Sequence, residues 1–501
     1  MGKETVAIIG AGVGGLAAAR YLKAHGLEPT IFESHDDLGG QWNRFNENSG
    51  VWPQMRTNTA KFVTKLSDVQ YPESVRMFPR NGEVMDMINA FADMHGLRDH
   101  CRFSCKVTKL ERTPSGEYAI TWEQDGGPHS QEFDHAIVAS GRYNLPEIPD
   151  IEGLDTFDGE CGVIHAFRYK NPEKFRDKNI IVLGGSISSL EVASDQSMMG
   201  TGRVYLAQRR QRYVMPKMIA GTPLEYYAFT RAGGQALATT PRDQLLAETK
   251  QFLETYGGNP ARYGAPSPHE DMGKAGVTGS QHYLNLVAEG RIDVRPWVER
   301  VDGRRVTFTD GSVVEADAII IGTGFDLNLP YLSDEIKTTI NLTRKSMELA
   351  EFTFHPDLPG LAFLGLYAQL GPYPVVLEQQ ARWIAYTWAG IIPAPTEEQL
   401  RAGVEACIAE EHHADYRQQH EMALRFAALA GADPGDVDDQ ELQAVLPHSA
   451  VTGEMFRIAG PDALPKARQR LCDDFWTYGP PEVRRQVAEM LGRSDSGLKV
   501  A

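Results

Sequence analysis

Three glycines near the head of the chain, Gly10, Gly12 and Gly15, stand in the order G-x-G-x-x-G with Gly14 among them, and an acid, Glu33, follows 23 residues after the first. Residues of these types at this spacing can bind a dinucleotide. Gly10 permits a tight turn, Gly12 lets a pyrophosphate come up against the backbone, and Gly15 lets a helix pack closely on a strand. The helix amino terminus then receives the negative charge. Glu33 is placed to accept hydrogen bonds from an adenosine ribose. A second set, Gly184-Gly185-Ser186-Ile187-Ser188-Ser189, reads G-x-S-x-x-S. Serine still allows close approach and adds a hydroxyl donor for phosphate, so Gly184, Ser186, Ser188 and Ser189 are candidate nucleotide ligands. The following strand ends in Gln208-Arg209-Arg210 rather than in an acid. Arg209 and Arg210 stand where a guanidinium accommodates a ribose 2′-phosphate, which favours NADPH over NADH. Arg212 and Lys217 continue the charge, and a solvated basic loop is the plainer alternative. No paired carboxylates or Ser/His/Asp set carries a recognisable signature. His412 and His413 are neighbours without H-E-x-x-H spacing, so they read as a solvated helix face and no metal site is expected.

Such residues work only at strand-to-helix turns, and the flanking patterns supply them. Residues 6–9 are an apolar run short enough for a buried parallel strand, 16–25 is Ala-rich and helical, and 29–32 is a second strand ending at Glu33. Residues 179–183, 190–199 and 202–207 repeat that order. Two further runs, Ala136-Ile137-Val138-Ala139-Ser140-Gly141 and Ala318-Ile319-Ile320-Ile321-Gly322-Thr323-Gly324, are strands ending in small-residue turns. They mark crossings between two nucleotide-binding domains, and they bring Ser140 and Gly141 to the cofactor.

The fold class is therefore α/β, with two Rossmann-like domains, the second inserted into the first, and a helical carboxy-terminal extension. The first domain, whose fingerprint by itself suits FAD or a nicotinamide dinucleotide, is expected at 1–155 and 315–395, and the second, for NADPH, at 165–310. Within the latter, 216–280 departs from the strand rhythm and reads as a helical insert, either a lid over the cleft or a passive surface excursion. The extension, 396–501, opens on a capping-box-like Thr396-Glu397-Glu398, carries helical periodicity over 400–429 and has an acidic loop at 433–439.

With 501 residues, two to four domains of roughly 100–200 residues are expected. The 48 glycines suit a chain rich in tight turns, and the net charge of −17 excludes sequence-independent nucleic-acid binding. No stretch approaches the ~18 apolar residues of a membrane span, and the amino terminus is too acidic and short for a signal peptide. Cys101, Cys105, Cys161, Cys407 and Cys472 include no C-x-x-C pair, which argues for a reducing compartment and against dithiol catalysis. A cytoplasmic protein without nucleic-acid or membrane partners is expected.

Leu38-Gly39-Gly40-Gln41-Trp42 resembles the GG-x-W element that two-dinucleotide flavoproteins place along the FAD pyrophosphate and flavin, which nominates Gly40, Gln41 and Trp42. From Val6 to about Arg468 the chain resembles the flavin-containing monooxygenases, class B flavoproteins. Phe157, Gly159, His165 and Tyr169 are similar to that family's FxGxxxHxxx(Y/F) motif, although five residues rather than three separate Gly159 from His165. Tyr169 stands where the related Baeyer–Villiger enzymes usually carry Trp, which speaks for the heteroatom-oxidising branch. Thr57-Asn58-Thr59-Ala60-Lys61, with Ser67-Asp68, resembles the TNxxK…SD element. That resemblance places Thr57 and Asn58 beside flavin and nicotinamide, with Asn58 as the catalytic amide. Gly365-Leu366-Tyr367-Ala368-Gln369 and Glu378-Gln379-Gln380-Ala381-Arg382-Trp383 are similar to GLxQ…ELQARW, which brings Gln369 to the flavin ring and leaves Arg382 and Trp383 structural. Phe456 to Pro461 resembles the carboxy-terminal (Y/F)R(L/I)xGP, and Val107 joins the cofactor-binding set.

The resemblance implies an enzyme with FAD and NADPH. NADPH reduces the flavin, oxygen forms a hydroperoxide on it, and one oxygen passes to an amine nitrogen or a sulfide while the other leaves as water. Its partners are a small nucleophilic substrate and O2, and a homodimer is the expected assembly. Three alternatives stay open: Baeyer–Villiger oxygenation of ketones, a non-oxygenating NADPH-dependent flavin reductase, and an NADP(H)-sensing binding protein.

Overall fold

A computed structural model describes residues 3–411, 417–435 and 437–493. His412 and His413 lie outside the described residues. Two five-stranded parallel sheets form the frame. The first runs in the order Leu361–Phe363, His135–Val138, Thr5–Ile9, Glu28–Phe32 and Cys101–Arg102. Alternate residues of a strand face opposite sides, and this sheet is buried on both. Val6, Ile8 and Ile137 enter one apolar cluster with the helices Val13–Ala24 and Tyr373–Trp388, whereas Ala7, Ile9 and Val138 enter another under a three-stranded antiparallel meander. That meander, Lys106–Arg112, Tyr118–Gln124 and Gly127–Phe133, packs Trp122 against Phe32 with ring centroids 4.9 Å apart.

The second sheet repeats the plan in the order Ile292–Arg295, Arg203–Ala207, Asn179–Leu183, Ala318–Ile321 and Gly162–His165. Ile180 and Val182 face the side of the helix Ile187–Met199, and Ile181 and Leu183 face a second meander, Val298–Asp302, Arg305–Phe308 and Val313–Glu315. Ala318–Ile321, expected in the returning half of the first domain from 315, pairs instead with Asn179–Leu183. The reason is the repeat itself: this strand follows its meander just as His135–Val138 follows the first, and each closes its own sheet. The return therefore comes after Ile321. There Phe325–Asp326 pairs antiparallel with Leu145–Pro146, so the outgoing and returning crossings form one ladder.

The 216–280 segment is mixed rather than purely helical. It carries the helices Glu225–Ala228, Arg231–Thr239, Arg242–Tyr256 and Met272–Ala275, the hairpin Met218–Ile219 with Thr222–Pro223, and the end of a parallel pair between Tyr213–Met215 and Val277–Gly279. In the extension the 400–429 periodicity is divided between Glu397–Glu411 and Gln419–Leu429, and before the second of these Arg417–Gln418 pairs with Gln369–Leu370.

A buried ionic cluster clamps the extension to the first sheet's helix. Arg457, 1% exposed, reaches Asp68 at 3.0 Å, Glu378 at 3.2 Å and the Ser67 hydroxyl at 2.7 Å. Arg20 bonds Asp68 at 3.1 Å and Asp462 at 2.7 Å. Burial by itself raises the Asp68 carboxyl, but the His95 and Arg457 hydrogen bonds and the guanidinium charges hold it well below the usual carboxylate range.

Candidate active site

The first fingerprint is built by backbone that tolerates no side chain. Gly10 has φ +111°, and a Cβ there would lie 2.7 Å from the Ala139 carbonyl oxygen. At Gly15 a Cβ would lie 1.9 Å from the Gly10 carbonyl oxygen, so only glycine lets this helix sit on its strand. Gly12 is the helix N-cap, and its Cβ position looks across 3.9 Å to the Gly40 Cα. Gly40 adopts φ +51°, and the neighbouring Gly39 N–H donates to the Ala11 carbonyl at 2.9 Å. Two bare strips of backbone thus face each other over a helix amino terminus, a cradle that fits a pyrophosphate. Gly14 packs on Leu364 and Leu377.

Glu33 braces this turn as well as ending its strand. Its Oε2 accepts the Ala11 N–H at 2.8 Å, and its Oε1 accepts the His35 N–H at 2.9 Å and the Ser34 hydroxyl at 3.2 Å. A carboxylate has about four acceptor positions, so one remains for a ribose. Beyond it lies a cavity of about 830 Å³ lined by His35, Asp37, Arg44, Asn81 and Arg98 among others. Gln41 is exposed, and Trp42 is half-buried in the short turn Gly40–Trp42, its carbonyl held by the Asn81 amide at 2.6 Å. Val107 is half-buried on the meander. Ser140 shares a hydrogen bond with the Tyr331 hydroxyl at 2.7 Å, and Gly141, at φ +82°, has open space where a Cβ would stand.

The second fingerprint uses its serines differently from the reading of three hydroxyls on phosphate. The Ser189 hydroxyl is fully buried and donates to the carbonyls of Leu183 at 3.1 Å and Gly322 at 3.0 Å. It takes the place of the third glycine and is turned into the strand seam. Ser186 is the N-cap of Ile187–Met199 and makes no side-chain cap bond, and Ser188 is exposed, so these two keep hydroxyls for a ligand. Gly184 has φ +123°, where a Cβ would lie 2.6 Å from the Gly322 carbonyl oxygen. Arg209 and Arg210 are exposed just past Ala207; Arg209 lies 4.5 Å over the Trp297 ring and Arg210 donates to the Lys274 carbonyl at 2.8 Å. Lys217 does not belong to a solvated loop. It is buried between the two units, 3.2 Å from Glu191 Oε2 on the second fingerprint helix and 3.4 Å from the Thr57 carbonyl oxygen.

Thr57 is buried, its hydroxyl donating to the Thr59 carbonyl at 2.7 Å. The Asn58 Oδ1 beside it is buried without a hydrogen-bond partner among the described residues. An orphaned buried acceptor costs about 1–3 kcal/mol unless a ligand satisfies it, and the N–H of a carboxamide or of a flavin has the chemistry to fit it. Gln369 is buried, but its amide is tied to its own turn: Nε2 donates to the Pro372 carbonyl at 3.0 Å. Its backbone N–H donates to the Tyr373 hydroxyl, which lies 2.9 Å from that of Tyr143.

The linker motif proves to be a set of pins. Gly159 is required because a Cβ would lie 2.4 Å from the Phe157 ring and 2.8 Å from the Asp317 carbonyl oxygen. His165 Nδ1 accepts the Phe167 N–H at 3.1 Å, so Nε2 carries the proton and donates to the Gly324 carbonyl at 3.1 Å. Burial pushes its pKa below the usual histidine value. It joins the outgoing and returning crossings directly, with the Phe325 ring 5.1 Å away. The buried Tyr169 donates to Asp195 at 2.7 Å and meets Trp52 of the first unit edge to face at 5.4 Å. Lys170 donates to the Ser49 and Val51 carbonyls, its pKa pulled down to about 8 by burial.

Among known proteins, the flavin-binding monooxygenase-like family (FMO-like) matches residues 3–429. The chain belongs to this family. It is a flavin monooxygenase that uses FAD and NADPH. Flavin-containing monooxygenase 2 of Homo sapiens is 27% identical over 93% of this chain and 91% of its own. Dimethylaniline monooxygenase [N-oxide-forming] 2 of Cavia porcellus is 27% identical over 99% of this chain and 96% of its own. Among solved structures, S-allyl-L-cysteine S-oxygenase from Allium sativum superposes with a TM-score of 0.64 at 21% identity, covering 98% of this chain and 99% of that one. Cyclohexanone monooxygenase from Rhodococcus sp. Phi1 bound to NADP+ gives 0.63 at 16%, over 86% and 97%. These two show that the fold is shared. In this flavin monooxygenase, no helix among the described residues is long and apolar enough to cross a membrane. Nor do any three His, Cys, Asp or Glu among the described residues group to hold a metal. Lys217 and Glu191 carried no motif signal; their pairing ties the insert to the helix Ile187–Met199 of the same unit, and the Lys217 contact with Thr57 then depends on two units meeting in space.

Proposed function

We propose that the protein is an NADPH- and O2-dependent monooxygenase of soft nucleophiles, transferring one oxygen atom to an amine nitrogen or a sulfide. The observation that carries this reading is the buried, unpartnered Asn58 Oδ1 at the junction of the two nucleotide units. An uncharged amide orders a nicotinamide or an oxygen-bearing group by hydrogen bonds without adding a charge. Bound flavin, reduced by NADPH, supplies the activated oxygen. The chain's part is to hold and orient. The Gly12–Gly40 cradle grips the FAD pyrophosphate, Glu33 the ribose, Ser186 and Ser188 the NADPH phosphates, and Arg209 with Arg210 the 2′-phosphate. Asn58 keeps the nicotinamide in register, and the Phe325 crossing with its His165 pin closes the cleft to water.

The Cavia porcellus relative, named as N-oxide-forming, supports the nitrogen-oxidising choice. No disulfide joins the cysteines among the described residues, which suits a reducing compartment, and we place the protein in the cytoplasm as a homodimer. The test is to supply the FAD-loaded protein with NADPH, oxygen and, in turn, a tertiary amine, a sulfide and a ketone, counting NADPH consumed, product formed and peroxide released. Amine or sulfide oxygenation matching NADPH consumption is the expected result. Ester formation from the ketone alone would assign Baeyer–Villiger chemistry, and peroxide alone would assign an oxidase or reductase.

A further inference from the structure

The peptide run carrying Asn58 is held on both sides from the inserted segment. On one side the Thr57 carbonyl oxygen lies 3.4 Å from Lys217 Nζ. On the other the Ala60 N–H donates to Glu225 Oε1 at 2.8 Å. Lys217 and Glu225 flank the hairpin Met218–Ile219 with Thr222–Pro223, and the Leu224 N–H donates back to the Lys217 carbonyl at 3.0 Å. One short turn thus delivers a cation to one end of the Asn58 run and a carboxyl to the other. Thr57 and Ala60 are themselves buried, so neither backbone group has water as a substitute partner.

Glu225 is an unusual residue to bury. It is 2% exposed, and its Oε2 has no partner among the described residues. A space-filling leucine or methionine would carry no such desolvation cost, so the carboxyl is retained for what it holds. Tyr226, its neighbour in the chain, feels the Glu225 charge, but burial raises its ionisation well above the usual range, and its ring packs 5.4 Å from that of Phe62. Tyr226 also feels Asp474, a carboxyl that burial likewise pushes up to about 7. Lys217 is engaged with Glu191 and Thr57. Burial pushes the Glu225 pKa up to about 7, although the Ala60 N–H favours the anion.

We propose that the segment from Lys217 to Glu225 is a strap for the Asn58 loop, and that Glu225 is the positioning residue that keeps the Asn58 amide aligned in the cleft. As the neutral acid it accepts the Ala60 N–H without placing a charge beside Asn58. As the anion it puts an uncompensated negative charge within that loop. This rests on the catalytic reading of Asn58 given above and adds the part played by the insert.

The experiment compares wild type, Glu225→Gln and Glu225→Ala as FAD-loaded full-length proteins across neutral pH. The peroxide released per NADPH is expected to rise through about pH 7 in wild type. In Glu225→Gln, which keeps an uncharged acceptor, it stays flat, and in Glu225→Ala it is raised several-fold at every pH. Two readouts do not depend on turnover. The infrared difference between wild type and Glu225→Gln is expected to contain a protonated-carboxyl band that titrates near neutrality. Hydrogen exchange at the Ala60 amide is expected to quicken in Glu225→Ala but not in Glu225→Gln. A Glu225→Gln enzyme with the wild-type pH profile, or the absence of a titrating band, overturns the proposal. If wild type releases only peroxide with every nucleophile, the oxygenase reading fails instead, and the band and the Ala60 exchange still decide the strap. If Glu225→Ala does not fold, Glu225→Gln and its infrared difference decide it alone.

Discussion

Ser189 Oγ lies 3.0 Å from the Gly322 carbonyl oxygen, and a Cβ built on Gly322 would stand 2.2 Å from that same hydroxyl. The two residues are therefore one packing unit across the seam between Asn179–Leu183 and Ala318–Ile321. Gly322→Ala is expected to destabilise the protein by about 1–3 kcal/mol through overpacking. Adding Ser189→Gly should recover much of that loss, since both atoms nearest the new methyl on the helix side belong to Ser189. Chemical unfolding of the two single variants and the double variant measures the coupling. Simple additivity would contradict the shared seam.

The basic pair after Ala207 is expected to select the cofactor. A charge-assisted hydrogen bond contributes about 1.5–3 kcal/mol, so Arg209→Ala and Arg210→Ala should each raise the KM for NADPH by roughly 10- to 100-fold. The KM for NADH should hardly change, because NADH has no 2′-phosphate. Arg209 carries a second duty over the Trp297 ring, so its loss is expected to cost some stability as well, and that of Arg210 less. Steady-state kinetics with both nucleotides, alongside thermal unfolding, separates the two effects.

Asn58→Ala is expected to leave flavin bound and reducible by NADPH while diverting consumed oxygen to hydrogen peroxide. Flavin retention follows because the cradle of Gly12 and Gly40 is made of backbone remote in sequence from this side chain. Peroxide and product measured together give the partition; a variant that stays fully coupled would remove Asn58 from the chemistry.

Arg457→Leu should cost about 3–5 kcal/mol, because it leaves Glu378 buried without a guanidinium and Asp68 with that of Arg20 alone. The same cluster sets the acid limb of stability. Asp68 and Asp462 have folded-state pKa values below the unfolded one, Asp462 despite burial because Tyr386, Arg20 and His25 hydrogen-bond to it. Their contribution is thus complete above the ordinary aspartate value of about 3.9 and is lost as pH falls through it towards the depressed values. Urea unfolding at neutral pH and below pH 4 is expected to show a steep loss for wild type and a shallower one for Arg457→Leu.

The sequence by itself determined whatever is written in contiguous residues. Strand, glycine turn, helix and second strand occupy just under thirty residues, and each glycine's duty follows from its place in that run. Both fingerprints, their strands and the small-residue turns at Gly141 and Gly324 are of this kind, and so is the place of Asn58 in a recognisable element. The tertiary structure alone decided which strands became neighbours and where the polar side chains ended. Ala318–Ile321 is apolar enough for either sheet, and its pairing with Asn179–Leu183 follows from the meander before it. Ser189 has the hydroxyl of a phosphate ligand, yet the tight helix–strand approach turns it inward. Arg457 reaches Asp68 across 389 residues, and Glu225 reaches Ala60 across 165. Such contacts leave no periodic trace, because burial and desolvation act on side chains from distant segments only after those segments have packed.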